Sequence, residues 1–85
     1  IPAHDEEATL PRTLAAVLAA DYPADRLRVL VVADNCTDRT AEVARRHGAE
    51  VVQRIDRDHR GKGYALAFGL PQALTADADA VMILD

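Results

Sequence analysis

Val29-Leu30-Val31-Val32-Ala33, followed by Asp34-Asn35-Cys36-Thr37-Asp38, is the stretch that decides how this chain folds. An unbroken apolar run with no polar alternation predicts a strand buried on both faces, as in a parallel sheet covered by helices on either side. The polar residues after it predict a tight turn in which Asp34 stands just beyond the strand end. Thr37 or Asp38 is placed to cap the helix that follows.

Working outward, that helix is expected to run to His47 and stop at Gly48. Glu50 to Arg54 reads as a short strand, and Ile55 to Gly61 as a charged loop. A helix then starts near Lys62 and carries Tyr64, Leu66, Phe68, Leu70 and Leu74. Pro71 has no N–H for Ala67 and should kink or end it. Ala80 to Asp85 (AVMILD) reads as a last strand. Upstream, Leu10, Leu14, Val17 and Leu18 share one stripe at helical spacing. Pro11 is tolerated only in a first turn, which starts that helix between Glu7 and Leu10. Ile1 to Glu7 reads as a loop leaving a strand of which little more than Ile1 remains.

Strands alternating with helices predict an α/β fold, a parallel sheet with right-handed crossovers and helices on both faces. The expected strand order is 3-2-1-4. Both ends read as cuts in a longer protein. A piece with so reduced a first strand is expected to leave apolar edges unpaired and to be neither stable nor active alone.

Bulk properties narrow the function. The chain has 85 residues, enough for one small domain at most. Apolar residues make up 49%, yet there are only two Tyr and one Phe, so Val, Leu, Ile and Ala must build the core. A net charge of −4 speaks against nucleic acid as a partner. One cysteine, Cys36, excludes an intrachain disulfide and suits the cytoplasm.

In sheets of this kind ligands bind beyond the carboxyl ends of the strands, at the switch in strand order. Pro2-Ala3-His4-Asp5-Glu6-Glu7, Asp34 to Asp38, the loop from Arg57 to Gly63, and Asp85 all fall at those ends. A carboxylate at Asp34 can accept from a base N–H or from ribose hydroxyls, whereas Asp38 reads as a cap. Gly61-Lys62-Gly63 opens a helix, where backbone N–H groups and the single lysine can meet a phosphate. It is not a Walker A loop, since Gly63 stands in the Ser/Thr position. Arg57, His59 and Arg60 read as solvated loop charge. Asp85 is placed to meet a hydrated Mg²⁺ or Mn²⁺ brought by phosphates. Asp34 to Arg45 is not an EF-hand loop, because Arg39 and Arg45 occupy its glycine and glutamate positions. Asn35-Cys36-Thr37 fits a glycosylation sequon but lies at the ligand edge of the sheet.

These segments, in this order, resemble the nucleotide-binding half of family 2 glycosyltransferases of the Rossmann-like GT-A fold. Pro2 to Glu7 looks like the family's P-x-[YH]-N-E-E opening, and Val31 to Asp38 is similar to its V-V-D-D-x-S-T-D turn. Gly61-Lys62-Gly63-Tyr64-Ala65-Leu66 resembles its G-K-x-x-A-L segment. Met82-Ile83-Leu84-Asp85 looks like the strand entering D-x-D. The resemblance spans the chain and looks closest to the cellulose-synthase-like branch and its bacterial relatives.

The resemblance implies metal-dependent transfer of a sugar from a nucleotide diphosphate sugar, such as a UDP-sugar, to a saccharide or lipid acceptor. It implies a cytoplasmic site, with membrane association through other regions of the parent. Pro2, Ala3, His4, Glu6 and Asp34 would hold the nucleoside, Lys62 would lie near the nucleotide, and Asp85 near ribose, sugar or metal. The family's catalytic base falls outside these residues. Three positions depart from the pattern: Asp5 stands where Asn is usual, Ala33 where Asp is, and Cys36 where Ser is. Asp5 adds negative charge near a diphosphate, and Cys36 weakens any bond in the turn. The competing readings are a nucleotidyltransferase of the same fold and a non-enzymatic receiver or small-ligand module. The acidic, glycine-free opening disfavours the first. A Lys62 that opens a helix rather than following a strand disfavours the second.

Overall fold

The structure, a computed structural model, describes residues 1–74 and 78–85. In chain order it comprises β1 (Pro2–Ala3), α1 (Leu10–Leu18), a 3-10 turn (Ala24–Arg26), β2 (Leu30–Asp34), α2 (Thr40–Arg46), β3 (Glu50–Arg54) and α3 (Lys62–Ala73). The three strands form one parallel sheet in the order β1-β2-β3. This is the α/β arrangement expected, with β2 at its centre.

Every β2 residue from Val31 to Asp34 is buried, as the continuous apolar run requires. Alternate side chains feed two cores. On one face Val31 packs with Leu10 and Leu14 of α1, Ala44 of α2 and Ala3. On the other, Val32 meets α3 at Gly69, where an added Cβ would lie 2.4 Å from its Cγ2.

The α3 helix therefore seats itself through small residues. Ala65 and Gly69 are buried, while Tyr64, Phe68 and Leu74 are exposed. Leu66 and Leu70 are half-buried, so the closest approach to the sheet falls to the small residues rather than to the large ones of the expected apolar face. The helix passes through Pro71 but ends at Ala73. On α1, Leu10 and Leu14 are buried as expected, but Leu18 at its end is exposed. The α2 helix ends as anticipated, at Gly48 with φ 85°.

Two expectations about the strands need correction. The first strand is not reduced to Ile1: Pro2 and Ala3 pair with Val32 and Ala33. Ile1 N donates to Leu30 O, and Val32 N donates to Ile1 O, both at 2.8 Å. The place beside β2 is thus filled rather than empty. Conversely, Ala80 to Asp85 is not a strand, and residues 78–85 carry no helix or strand. On β1, Ile1 turns its backbone bonds to β2, and Pro2, the next residue, has no N–H to donate. Val81, Met82 and Ile83 remain exposed.

Candidate functional site

The carboxyl ends of the strands open onto one cavity of about 390 Å³. Pro2, Ala3, His4, Glu6, Asp34, Lys62 and Asp85 all line it, together with Asn35, Arg60, Gly61 and Ala65. All seven residues singled out in the sequence are thereby brought together. Parallel strands end on the same side, so the loops after β1, β2 and β3 converge there. Asp85 arrives without a strand: its carboxylate pairs with the Lys62 ammonium at the cavity edge, both side chains exposed.

The floor of the site is a knot between the β1–α1 loop and the β2–α2 turn. Asp5 and Asn35 both adopt left-handed backbone, φ 48° and 50°, a region that Asp and Asn tolerate better than most residues. The Asp5 carboxylate accepts from Thr37 N at 2.6 Å, Thr37 Oγ1 at 3.0 Å and Asp38 N at 3.3 Å. The Thr37 N–H leads in holding the Asp5 carboxyl below its ordinary value, against desolvation. An acceptor-only side chain suits a position that meets three donors. The extra charge of Asp5 is therefore turned into the knot, and Asp5 does not line the cavity.

Asp38 completes the knot. Its carboxylate accepts from Glu7 N at 3.1 Å, from Thr40 N at 2.9 Å and from the Thr40 hydroxyl. Desolvation pushes this carboxyl up, but those hydrogen bonds together hold it below its ordinary value. Neither expected residue is the cap: Arg39 occupies that position with no side-chain cap bond, while Asp38 accepts from Thr40, the first helical residue, and Thr37 serves Asp5. The Thr40 hydroxyl also accepts from Glu6 N at 2.9 Å. Cys36 Sγ accepts from Asp5 N at 3.4 Å, so the sulfur fills the role expected of a serine oxygen at a longer distance.

Asn35 is buried and clamps the β3–α3 loop. Its Nδ2 donates to Asp56 O at 3.1 Å, and its Oδ1 accepts from Asp56 N at 2.8 Å. The His4 ring lies 2.8 Å from Asp34 O through Nδ1, which ties the opening loop to the end of β2.

Asp34 is nearly buried, with its side chain 7% exposed, and Arg54 Nη1 lies 2.7 Å from its Oδ1. The two are register partners at the ends of β2 and β3. Sequence reasoning missed Arg54, although a cation that closes a strand beside a carboxylate-ended strand was a usable signal. Arg60 is exposed, as expected of loop charge, but it lines the cavity, and its Nε donates to Arg57 O at 3.0 Å. His59 pairs with Asp56 at 3.0 Å and meets the Tyr64 ring edge-on, with centroids 5.3 Å apart.

Among the described residues one group of side chains could hold a metal by its spacing. Asp5, Cys36 and Asp38 present ligand atoms within 4.8 Å of one another. Their acceptor atoms already serve the N–H and O–H groups of the knot, which makes the trio a structural feature. Asp85 supplies one exposed carboxylate at the cavity edge.

Compared with known proteins, residues 1–85 match the family model described as Glycosyl transferase family 2. The chain is 32% identical over 91 aligned positions to "Probable glycosyltransferase YdaM" of Bacillus subtilis, covering 100% of this chain and 21% of that protein. It is 39% identical over 75 positions to 4,4'-diaponeurosporenoate glycosyltransferase of Staphylococcus aureus, covering 88% of this chain and 19% of that protein. The chain thus spans about a fifth of the length of these curated relatives. No solved structure matches it. Among the described residues, no helix is long and apolar enough to cross a membrane.

Proposed function

The chain belongs to the family 2 glycosyltransferases, and from that membership we propose that its cavity is the donor-binding part of an enzyme that moves a sugar from a nucleotide diphosphate sugar to an acceptor. The observation that carries this reading is the gathering of Asp34, the opening loop, Lys62 and Asp85 around one cavity. In it the nucleoside lies against Pro2, Ala3, His4, Glu6 and Asp34. The Asp34 oxygen not bonded to Arg54 accepts from the base or the ribose.

The diphosphate extends toward Lys62 and the first turn of α3. That helix has no side-chain cap, and Gly61 precedes it with φ 118°, a conformation that suits glycine. Uncapped N–H groups and an ammonium favour an anion there. With Lys62 turned to phosphate in place of Asp85, the Asp85 carboxylate would be the residue to hold a divalent cation. Such a cation, Mg²⁺ or Mn²⁺, would supply charge neutralisation for the departing nucleoside diphosphate. The acceptor hydroxyl attacks the anomeric carbon as the bond to the diphosphate breaks, and the base that takes its proton comes from elsewhere in the parent. The acceptor class is a saccharide or a lipid; the S. aureus relative is named for transfer to 4,4'-diaponeurosporenoate. We place the reaction in the cytoplasm. Relatives named as glycosyltransferases favour this reading over a nucleotidyltransferase or a receiver module.

The test is calorimetric titration of the complete protein with UDP and Mn²⁺, beside Asp34→Ala. Loss of one charge-assisted hydrogen bond should weaken binding by about 1.5–3 kcal/mol. Unchanged affinity in the variant, or no binding by the unaltered protein to any nucleoside diphosphate, would overturn the proposal.

A further inference from the structure

We propose that Arg54 is a positioning residue for donor recognition, one that sets the plane of the Asp34 carboxylate; this rests on the nucleotide-binding reading of the cavity. Asp34 and Arg54 are paired across β2 and β3, and side chains of paired residues in adjacent strands rise on the same face. Both are nearly enclosed, with side chains 7% and 11% exposed, so their attraction is little screened by solvent. Asp34 lines the cavity, whereas Arg54 stands behind it.

A guanidinium can grip a carboxylate through both oxygens. Here it takes one, Oδ1, and turns its remaining capacity elsewhere. Arg54 Nη2 lies 3.7 Å from Asp56 Oδ2, and its guanidinium carbon is 5.4 Å from the centre of the Tyr64 ring. Asp56 is in turn clamped by Asn35. Arg54 is thus held by a carboxylate, a loop and an aromatic face, and it fixes Oδ1 while Oδ2 accepts no hydrogen bond from the described residues. A carboxylate held by one oxygen keeps its plane and presents the other to a ligand. Tyr64 sits in the first turns of the helix that Lys62 opens. The same arginine therefore links the nucleoside end of the cavity to the element that carries the phosphate end.

The experiment is a double-mutant cycle on the complete protein, with UDP and inorganic pyrophosphate as calorimetric probes. Arg54→Met should weaken UDP binding roughly tenfold or more, the scale of one charge-assisted hydrogen bond. Arg54→Lys should recover part of the loss, since it keeps the charge but not the fork. In an Asp34→Asn background the same Arg54 replacements should change UDP affinity less than about twofold, because a residue that acts through Asp34 has nothing left to position. Pyrophosphate, which does not reach Asp34, should bind all these variants alike. Equal losses in both Asp34 backgrounds, or equal losses of UDP and pyrophosphate, would reduce Arg54 to a part of the scaffold and overturn the inference. So would unchanged UDP affinity in Arg54→Met. If that variant fails to fold, Arg54→Lys with and without Asp34→Asn carries the comparison. If the unaltered protein binds neither probe, the nucleotide reading itself fails; if Asp34→Asn weakens UDP but the Arg54 variants do not, only the positioning role fails.

Discussion

The β2–α2 turn and the Lys62–Asp85 edge close the same cavity in opposite ways. At the turn, Asp5, Asn35, Asp38 and Thr40 spend nearly every polar atom on one another or on backbone N–H groups, and Asn35 and Thr40 are buried. At the edge a lysine and an aspartate, both more than half exposed, meet in a single ion pair. The first region is fixed before any ligand arrives. The second is held by an interaction that water and salt weaken. A site built this way has a preformed end for a rigid group and a yielding end for a charged one, which suits a nucleoside joined to a diphosphate.

The sharpest way to break this contrast is at its buried pair. Arg54→Met should leave Asp34 as an uncompensated buried carboxylate and lower unfolding free energy by about 3–5 kcal/mol in urea titration of the complete protein. A loss as small as that of a surface pair would put Asp34 in the same class as the Lys62 edge. Asn35→Ala should come next. It removes both bonds to Asp56 and leaves a residue poorly suited to φ 50°, for a cost of about 1–3 kcal/mol by the same measurement. Gly69→Ala tests how tightly α3 is seated. The new methyl meets the stiff Val32 side chain, and the overpacking should cost about 1–3 kcal/mol. A neutral result would mean that the helix can lift from the sheet.

Strong acid should loosen the knot. Asp5 and Asp38 both titrate below the ordinary carboxylate value when folded. Their contribution is therefore complete above that value and is lost as pH falls through the depressed folded values. Thermal midpoints measured from neutral to strongly acidic pH should fall in that acidic window, and Asp5→Asn should flatten the fall. The smallest effect on stability is expected at the edge itself. Lys62→Ala should change unfolding free energy by less than about 1 kcal/mol while weakening UDP and pyrophosphate binding in calorimetry. A large stability loss would show that the edge is as fixed as the turn.

The sequence by itself determined the parts that depend on local pattern. An unbroken Val29 to Ala33 run needs burial on both faces, Gly48 permits a left-handed helix end, and alternating elements dictate a parallel sheet. Once the strands are parallel, the loops that follow them share one edge. That is why six residues scattered from Pro2 to Lys62 could be assigned to one place without coordinates, whereas Asp85 reaches it without a strand. Tertiary structure decided what depends on partners distant in the chain. It chose Ala65 and Gly69 over the larger apolar residues as the seat of α3, because only small residues admit a close backbone. It turned the charge of Asp5 into the knot, because Thr37 and Asp38 present N–H groups there. It left Ala80 to Asp85 without a sheet. And it set Arg54 behind Asp34, a pairing fixed by strand register, which is settled by the packing of both faces together.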